Sequence, residues 1–445
     1  MNQNGSDLLS DLLAKVKKSG ADGADALLAE QRGLSVTYRL GKLENIERSE
    51  SVDLGLRVFF GKRQALVSTG DLSPQSLERL IENGLAIAKS VPEDAYAGLA
   101  EPDQIAEDFP VLDLDDGVEH DVNQLTQIAA AAEAAARAMP KITNSEGGSA
   151  GWSRTTSTLA ATNGFVGQTH RSTHSISASV IASDDGPMER DYDHATKIRA
   201  ADLPDPEEIG KQAAIRAARR INPKKVKSQA VPVVFDPRIA GSIIRHLIGA
   251  ISGPSVARGT TFLKDKLGHE VFAKEVNLIE DPHRPNGLRS KAFDAEGLLT
   301  HERKIIDQGQ LTTWLLDCAS ARQLGLESTG HASRGISSPP SPSPHNLWIE
   351  PGTLSPKDLI STIVDGFYVT EMLGMGVNPI TGDYSRGAAG LWIENGELST
   401  PVSEVTIAGS LLDMFKNITV ANDLDRRFGI DAPTLRIDGL MVAGE

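Results

Sequence analysis

Cysteine, aromatic residues and long apolar runs are scarce in this chain. Its 445 residues include one cysteine, Cys318, which excludes an intrachain disulfide and suits a reducing compartment. Aromatic residues make up only 4% of the sequence, and no uncharged apolar stretch approaches the length of a membrane span. The N-terminus lacks the basic start and apolar core of a signal peptide. We therefore expect a cytoplasmic protein without a membrane partner.

Positive charge is also in short supply. The chain has 45 lysines and arginines against 60 aspartates and glutamates, a net charge of −15. Nucleic-acid binding requires clustered basic residues, and the basic cluster at residues 224–227 is better explained as a solvated linker. We expect no nucleic-acid partner.

What the chain does have is 40% hydrophobic residues, 41 glycines and room for two domains. Capped, apolar-periodic segments predict helices, among them 122–139, 206–220, 238–252 and 355–366, and alternating segments predict strands between them. The predicted fold class is α+β. Residues 1–222 form an N-terminal α/β domain with an antiparallel sheet, and residues 230–445 form a C-terminal β-rich, barrel-like domain with few helices.

The run at residues 374–397 holds six glycines among polar residues. Such density predicts backbone at positive φ or backbone closely approached by another group. One interpretation is that an extended peptide adds to a sheet edge there through main-chain hydrogen bonds. The alternative is a tightly turned structural hairpin. The candidate peptide-binding residues are Asn378, Asp383, Tyr384, Ser385 and Arg386.

Several segments carry a resemblance to a known family. They are residues 235–253, 262–268, 374–397 and 432–438 in the second half, and 49–51, 55–58 and 142–147 in the first. With these motifs the chain resembles the TldE family, also called PmbA, over nearly its whole length. The resemblance implies a pairing with a paralogue, TldD, in a zinc metallopeptidase that degrades or processes small unfolded peptides.

The catalytic motif of that system is altered in this chain. TldD carries a His-Glu-x-x-x-His helix and a C-terminal cysteine, which suit a zinc ion with one position open to water. The resemblance places Arg245, His246 and Ala250 at the three motif positions, and the region 419–422 offers no thiolate. A guanidinium, one imidazole and a methyl group cannot make a three-ligand zinc site. The resemblance therefore implies a metal-free subunit without catalytic residues, with zinc in the TldD-type partner.

Other catalytic sites find little support. His170 and His174 lie in a predicted strand, where four residues span roughly 13 Å, too far for one ion, and we expect both to be exposed strand residues. Cys318 lies in an apolar setting and is expected to be buried. We expect the chain alone to be inactive, and a homodimer of the isolated subunit stays open. Two other functions also stay open: an autonomous hydrolase, and a stand-alone regulator, as in the family's older name, modulator of DNA gyrase.

Overall fold

The structure, a computed structural model, describes residues 5–445. Its helices are α1 Gly5–Lys18, α2 Pro74–Ser90, α3 Val122–Arg137, α4 Pro206–Arg219, α5 Pro237–Ala250, α6 Gly253–Ala257, α7 Cys318–Leu324, α8 Pro356–Ser361 and α9 Leu411–Lys416, with a 3₁₀ turn at Ala200–Asp202. Its strands are β1 Gly23–Arg39, β2 Lys42–Phe60, β3 Arg63–Thr69, β4 Ile142–Ala161, β5 Val166–Ala182, β6 Glu189–Lys197, β7 Gln229–Phe235, β8 Leu278–Asp281, β9 Arg303–Asp307, β10 Gln310–Leu311, β11 Ala332–Ser333, β12 Ser341–Pro342, β13 Asn346–Ile349, β14 Asp365–Leu373, β15 Asp383–Glu394, β16 Glu397–Ser410, β17 Ile418–Val420, β18 Ile430–Asp431 and β19 Leu435–Ala443.

The first half of the chain builds a six-stranded antiparallel sheet in the order β3-β2-β1-β4-β5-β6. One face of this sheet carries α1, α2, α3 and α4, because alternate side chains such as Leu28, Val36 and Trp152 point to that side. On the opposite face, Leu159 and Phe165 pack against Phe293 from the second half. The sheet is thus covered by helices on one side and by the second half of the chain on the other.

The second half contains a closed five-stranded barrel made of β7, β14, β15, β16 and β19, in which β16 also pairs with β19. Its core contains Phe235 and Phe367, against which Ile243, Ile244 and Leu247 of α5 are packed. A second sheet has the order β10-β9-β8-β13-β18. This architecture confirms the predicted α+β class with a barrel-like, β-rich second half; the division at residues 222–230 stays a prediction.

Two predicted elements were wrong in extent. The helix expected over 355–366 ends at Ser361, and β14 begins at Asp365, where it pairs in parallel with β7. β-Branched Ile363 and Val364 favour extended backbone, so tertiary pairing outweighs the helical spacing. The segments 43–48 and 52–58, whose alternating pattern predicts two separate strands, form one continuous strand, β2.

A buried charge network ties the two halves together. Arg57 donates to Asp25 at 2.5 Å, Arg334 from the second half donates to the other oxygen of Asp25, and Glu296 lies 3.7 Å from Arg57. These side chains are almost fully buried. Of the helices within residues 5–445, none has the length and apolar character needed to cross a membrane.

Candidate functional site

Helix α5 begins at Pro237, one residue before the start predicted from the sequence. The side chain of Asp236 accepts a hydrogen bond from the Arg238 amide at 2.9 Å, and Pro237 occupies the first helical position. One side of the helix is buried in the barrel core, which leaves Ser242 and Arg245 on the other side. The helix is therefore held rigidly and presents a polar face.

The three motif positions have different environments. Arg245 is exposed and forms no ion pair or hydrogen bond with another residue in the described part of the chain. His246 is half-buried with its ring edge-on to Tyr384, 5.7 Å between centroids, and its Nε2 has no hydrogen-bond partner among residues 5–445. Burial, and then the nearby charge of Arg386, lowers the pKa of His246 to about 4. Ala250 is buried. These groups do not fit a catalytic zinc ion.

The polar face of α5 forms one wall of a cavity of about 540 Å³, which we call the α5 cleft. The opposite walls come from β6, β14 and β15 and from the segment before β18. Its lining residues are Arg190, Asp191, Tyr192, Asp193, His194, Arg220, Pro237, Arg238, Ile239, Gly241, Ser242, Arg245, Thr370, Glu371, Met372, Arg386, Phe428 and Ile430.

Most charges in the α5 cleft are paired with one another. Arg238 donates to Asp191 at 3.0 Å, and Arg220 donates to Glu371. Arg245 and Arg386 are the exceptions, because neither has an ion pair among residues 5–445; Arg386 donates to the Gly374 carbonyl at 2.9 Å and contacts the Tyr384 hydroxyl. The cleft therefore presents two guanidinium groups that can donate hydrogen bonds to an anionic ligand.

The five peptide-binding candidates are not brought together in this cleft. Arg386 lines it, whereas Tyr384 is buried at 1% exposure. Asn378 and Asp383 are exposed and stabilise their own loop: the Asn378 side chain accepts from the Ile380 amide at 3.0 Å, and Asp383 accepts from Thr381 at 2.6 Å. Ser385 is exposed, and its amide donates to the Gly376 carbonyl.

The glycine-rich run folds onto itself. A Cβ on Gly376 would meet the Ser385 carbonyl oxygen at 1.8 Å, and one on Gly390 would meet the Tyr368 oxygen at 2.0 Å. The close backbone approach predicted from the glycines is thus made by neighbouring strands of the same chain. Because β15 is paired with β14 on one side and β16 on the other, it offers no free edge for an added peptide. The structural-hairpin interpretation describes this run.

The free edge that does reach the α5 cleft belongs to β6, and it is partly capped. The Tyr192 carbonyl accepts from Arg216 at 3.2 Å, and the His194 carbonyl accepts from Arg427 at 2.6 Å. Charged side chains at an edge strand hinder pairing with another chain. Side-chain contacts therefore suit this cleft better than strand addition.

A second histidine-containing group, the Glu280 cluster, was not foreseen from the sequence. Glu280, His331 and His345 are all buried, and one potential metal-ligating atom from each lies within 4.8 Å of the others. The three residues lie on separate segments that span 65 residues of the chain, with no recognisable spacing between them. Only the fold brings them together.

Hydrogen bonds engage both oxygens of Glu280 and both ring nitrogens of His331, whereas Nδ1 of His345 lies 3.3 Å from Glu280 Oε1 without a hydrogen bond in the described part of the chain. Nε2 of His331 donates to Glu280 Oε2 at 2.8 Å, while Thr329 lies 2.7 Å from Nδ1 of the same ring. The His345 amide donates to Glu280 Oε1 at 2.7 Å, and Arg303 approaches Oε2 at 3.9 Å. These partners hold the pKa of Glu280 well below its usual range despite burial. The carboxylate thus anchors residues 329–345 to β8.

The remaining candidates also have partners. His170 lies 3.0 Å from the Thr156 hydroxyl, and His174 lies 3.0 Å from Asp116. His174 is buried, so the expectation that both are exposed was wrong for it. Cys318 is buried as expected, and burial together with Glu296 raises the pKa of its thiol, which makes the thiolate unavailable at neutral pH.

Comparisons with known proteins agree with this architecture. Models of three PmbA/TldA metallopeptidase domains match the chain: domain 1 over residues 24–88, the central domain over 115–221 and the C-terminal domain over 228–444. The chain is 41% identical over 427 residues to metalloprotease PmbA of Escherichia coli O157:H7, covering 96% of this chain and 93% of the relative.

Two solved structures have a similar fold. One, from Bacteroides thetaiotaomicron, is named as a modulator of DNA gyrase and superposes with a TM-score of 0.91 at 27% identity, covering 99% of this chain and 100% of that one. The other, TldE from Thermococcus kodakarensis, gives 0.87 at 22% identity, covering 98% and 100%, and supports the fold alone.

Proposed function

Because the chain belongs to the PmbA/TldA metallopeptidase family, we propose that it is a non-catalytic, TldE/PmbA-type subunit of a zinc-dependent TldD/TldE peptidase. In this role the catalytic zinc and its ligands belong to a TldD-type partner. The present chain completes the chamber and helps to hold small unfolded peptides.

The observation that carries this proposal is the environment of α5. The motif positions of the family hold a free guanidinium, a half-buried imidazole and a buried methyl group. Zinc requires thiolate, neutral imidazole or carboxylate ligands in tetrahedral arrangement. The residues of the helix do not supply them, although the helix itself is well capped and firmly packed. A metallopeptidase fold with this helix is best explained as the partner of a metal-bearing paralogue.

An exposed apolar loop supports an assembly with that paralogue. Next to the α5 cleft, Leu373, Met375 and Ile380 are 52%, 89% and 59% exposed. Apolar side chains concentrated on one loop indicate a surface that another protein covers. Because Met372 and Arg386 line the cleft on either side of this loop, a subunit seated there would close the cleft.

The two unpaired guanidinium groups support peptide holding. Arg245 and Arg386 can donate to a carboxylate of an extended peptide without first breaking an ion pair of their own. This replaces strand addition at the glycine-rich run, since β15 has no free edge. We do not assign peptide binding to Asn378, Asp383 and Ser385. These residues instead belong to a surface that the partner could contact.

The test is reconstitution with a TldD-type protein. We expect the two proteins to co-purify and only their mixture to cleave an unstructured peptide. A chelator should abolish this cleavage by removing the partner's zinc. The double variant Met375→Asp, Ile380→Asp should abolish co-purification, whereas Leu326→Asp, at an exposed apolar residue elsewhere, should not.

Two results would contradict the proposal. Chelator-insensitive cleavage by this chain alone would establish an autonomous hydrolase. A complex with gyrase formed without a TldD-type protein, together with failure to bind such a protein, would establish a stand-alone regulator.

A further inference from the structure

A second cavity, of about 750 Å³, lies between the six-stranded sheet and the second half of the chain, and we call it the Phe293 cavity. None of its lining residues belongs to the α5 cleft. Much of its wall is apolar, including Leu27, Phe109, Leu159 and Phe293. A cavity of this size with apolar walls is typical of small-molecule sites, which occupy roughly 300–1,000 Å³.

The walls of the Phe293 cavity are held in place before any ligand arrives. Phe109 packs edge-on against Phe293 with centroids 4.7 Å apart. Further along the same loop, Asp115 accepts from Arg154 at 2.6 Å. Across the cavity, Arg171 donates to the Ser290 carbonyl at 2.5 Å, which fixes the segment that leads to Phe293. A preformed cavity needs little reorganisation on binding.

One end of the cavity carries a positively charged side chain whose N–H groups are not all hydrogen-bonded. The side chain of Arg334 is fully buried, and beyond its bond to Asp25 its Nε and Nη2 have no partner among residues 5–445. Asp25 is shared with a second guanidinium, that of Arg57. Buried donors without acceptors are costly, so this end of the cavity favours an acceptor supplied from outside.

Lys291 adds to that charge. Lys291 lines the cavity, and its ammonium group donates to the Ser333 hydroxyl at 3.2 Å, without an ion pair in the described part of the chain. Burial and the neighbouring Glu296 raise the pKa of Asp294, a lining carboxyl. A raised pKa favours the uncharged form of Asp294, which repels an incoming anion less than an ionised carboxylate does.

We propose that the Phe293 cavity binds a small molecule whose apolar body ends in a carboxylate. The apolar body lies against Leu27, Leu159 and Phe293, and the carboxylate faces Lys291 and Arg334. Two sources share this chemistry: a free aliphatic carboxylic acid, and the C-terminal residue of a peptide with an apolar side chain. This proposal does not depend on the proposed function.

The experiment uses the full chain and matched pairs of probes. Octanoate is compared with 1-octanol, and N-acetyl-leucine with N-acetyl-leucinamide, by calorimetric titration. We expect saturable binding of the carboxylate in each pair at least about tenfold tighter than that of its neutral counterpart. If octanoate is the tighter of the two carboxylates, the free acid is the source; if N-acetyl-leucine is tighter, the peptide end is.

Variants locate the site. Lys291→Met removes one charge and Ser157→Trp, at a lining residue of β4, fills the space; each should weaken octanoate binding about tenfold or more. Lys264→Met and Thr143→Trp, both at exposed residues, are the controls and should bind like the wild type. Thermal unfolding verifies that each variant is folded. Equal binding of octanoate and octanol, or octanoate binding that survives Ser157→Trp, would overturn the proposal.

Discussion

The α5 cleft and the Glu280 cluster both contain histidines and charged residues, yet they differ in which polar groups already have partners. On helix α5, which forms a wall of the cleft, Arg245 has no ion pair and the Nε2 atom of His246 has no hydrogen bond among residues 5–445. In the cluster, both oxygens of Glu280 accept hydrogen bonds at 2.7–2.8 Å.

This difference separates a site available to a ligand from a structural anchor. The family motif marks the position of the α5 cleft, but the residues at the motif positions are the wrong type for zinc. The cluster has residue types that bind zinc, but both oxygens of Glu280 and both ring nitrogens of His331 are engaged within the protein, and Nδ1 of His345 lies 3.3 Å from Glu280 Oε1. Residue type alone therefore does not show which region is the ligand site and which is the structural anchor. The hydrogen bonds that each polar group makes do show it.

The largest effect is expected at the cluster. Glu280→Gln keeps the shape of the side chain but removes the charge that His331 and the His345 amide face. We expect a loss of roughly 3 kcal/mol in the free energy of unfolding, since a buried charged acceptor is lost. Chemical denaturation measures it, with the exposed Glu350→Gln as the control.

The zinc content of the purified chain tests the same difference between the α5 cleft and the Glu280 cluster. If the cluster is an anchor, the purified chain contains no stoichiometric zinc and Glu280→Gln loses stability equally with and without a chelator. A zinc content near one per chain that disappears in Glu280→Gln would reverse the assignment of the two regions.

Restoring the family motif is the next largest perturbation. The triple variant Arg245→His, His246→Glu, Ala250→His places both histidines and the glutamate on α5. Because Ala250 is buried at 2% exposure, the new imidazole overpacks the core and should cost about 2 kcal/mol of stability. We also expect no peptidase activity, because a third protein ligand is missing. The single variant Arg245→His is the matched control, and activity in the triple variant would show that the cleft lacks only these residues.

A smaller effect is the titration of His246. In the folded protein its ring should titrate near pH 4, which NMR of the ring protons measures. Because this pKa lies below the unfolded value of about 6.5, the unfolded state binds the proton first, and stability falls as the pH drops from about 6.5 to 4. Arg386→Met should raise the His246 pKa only in part, since burial is the larger cause. An unchanged pH dependence of stability in His246→Gln would contradict this origin.

The sequence predicted the features that depend on local pattern. The apolar spacing of Ile243, Ile244 and Leu247 predicted the buried face of α5, and the predicted first residue, 238, lies one residue after the observed start at Pro237. The motif resemblance assigned Arg245, His246 and Ala250 of that helix to the altered zinc positions, and this assignment stays a prediction.

What the sequence could not predict depends on contacts between distant segments. Glu280 meets His331 and His345 only after β8 and β13 pair. The glycines at 376 and 390 were correctly associated with close backbone approach, but only the strand order shows that the approaching backbone is the chain's own. The Phe293 cavity lies between halves that the sequence treats as separate domains.

The smallest expected effect is the change in folding stability when Arg245 is replaced. This substitution tests most directly whether Arg245 is available to bind a ligand. Arg245→Ala should change the free energy of unfolding by no more than about 0.5 kcal/mol, because the side chain is exposed and has no partner among residues 5–445. Arg238→Ala is the matched comparison on the same helix and the same cleft. There the guanidinium donates to Asp191 at 3.0 Å and is largely buried, so its removal should cost roughly 2 kcal/mol. Chemical denaturation of both variants measures the difference. A loss at Arg245 equal to that at Arg238 would mean that Arg245 supports the fold, and the cleft would then present one free guanidinium, Arg386, rather than two.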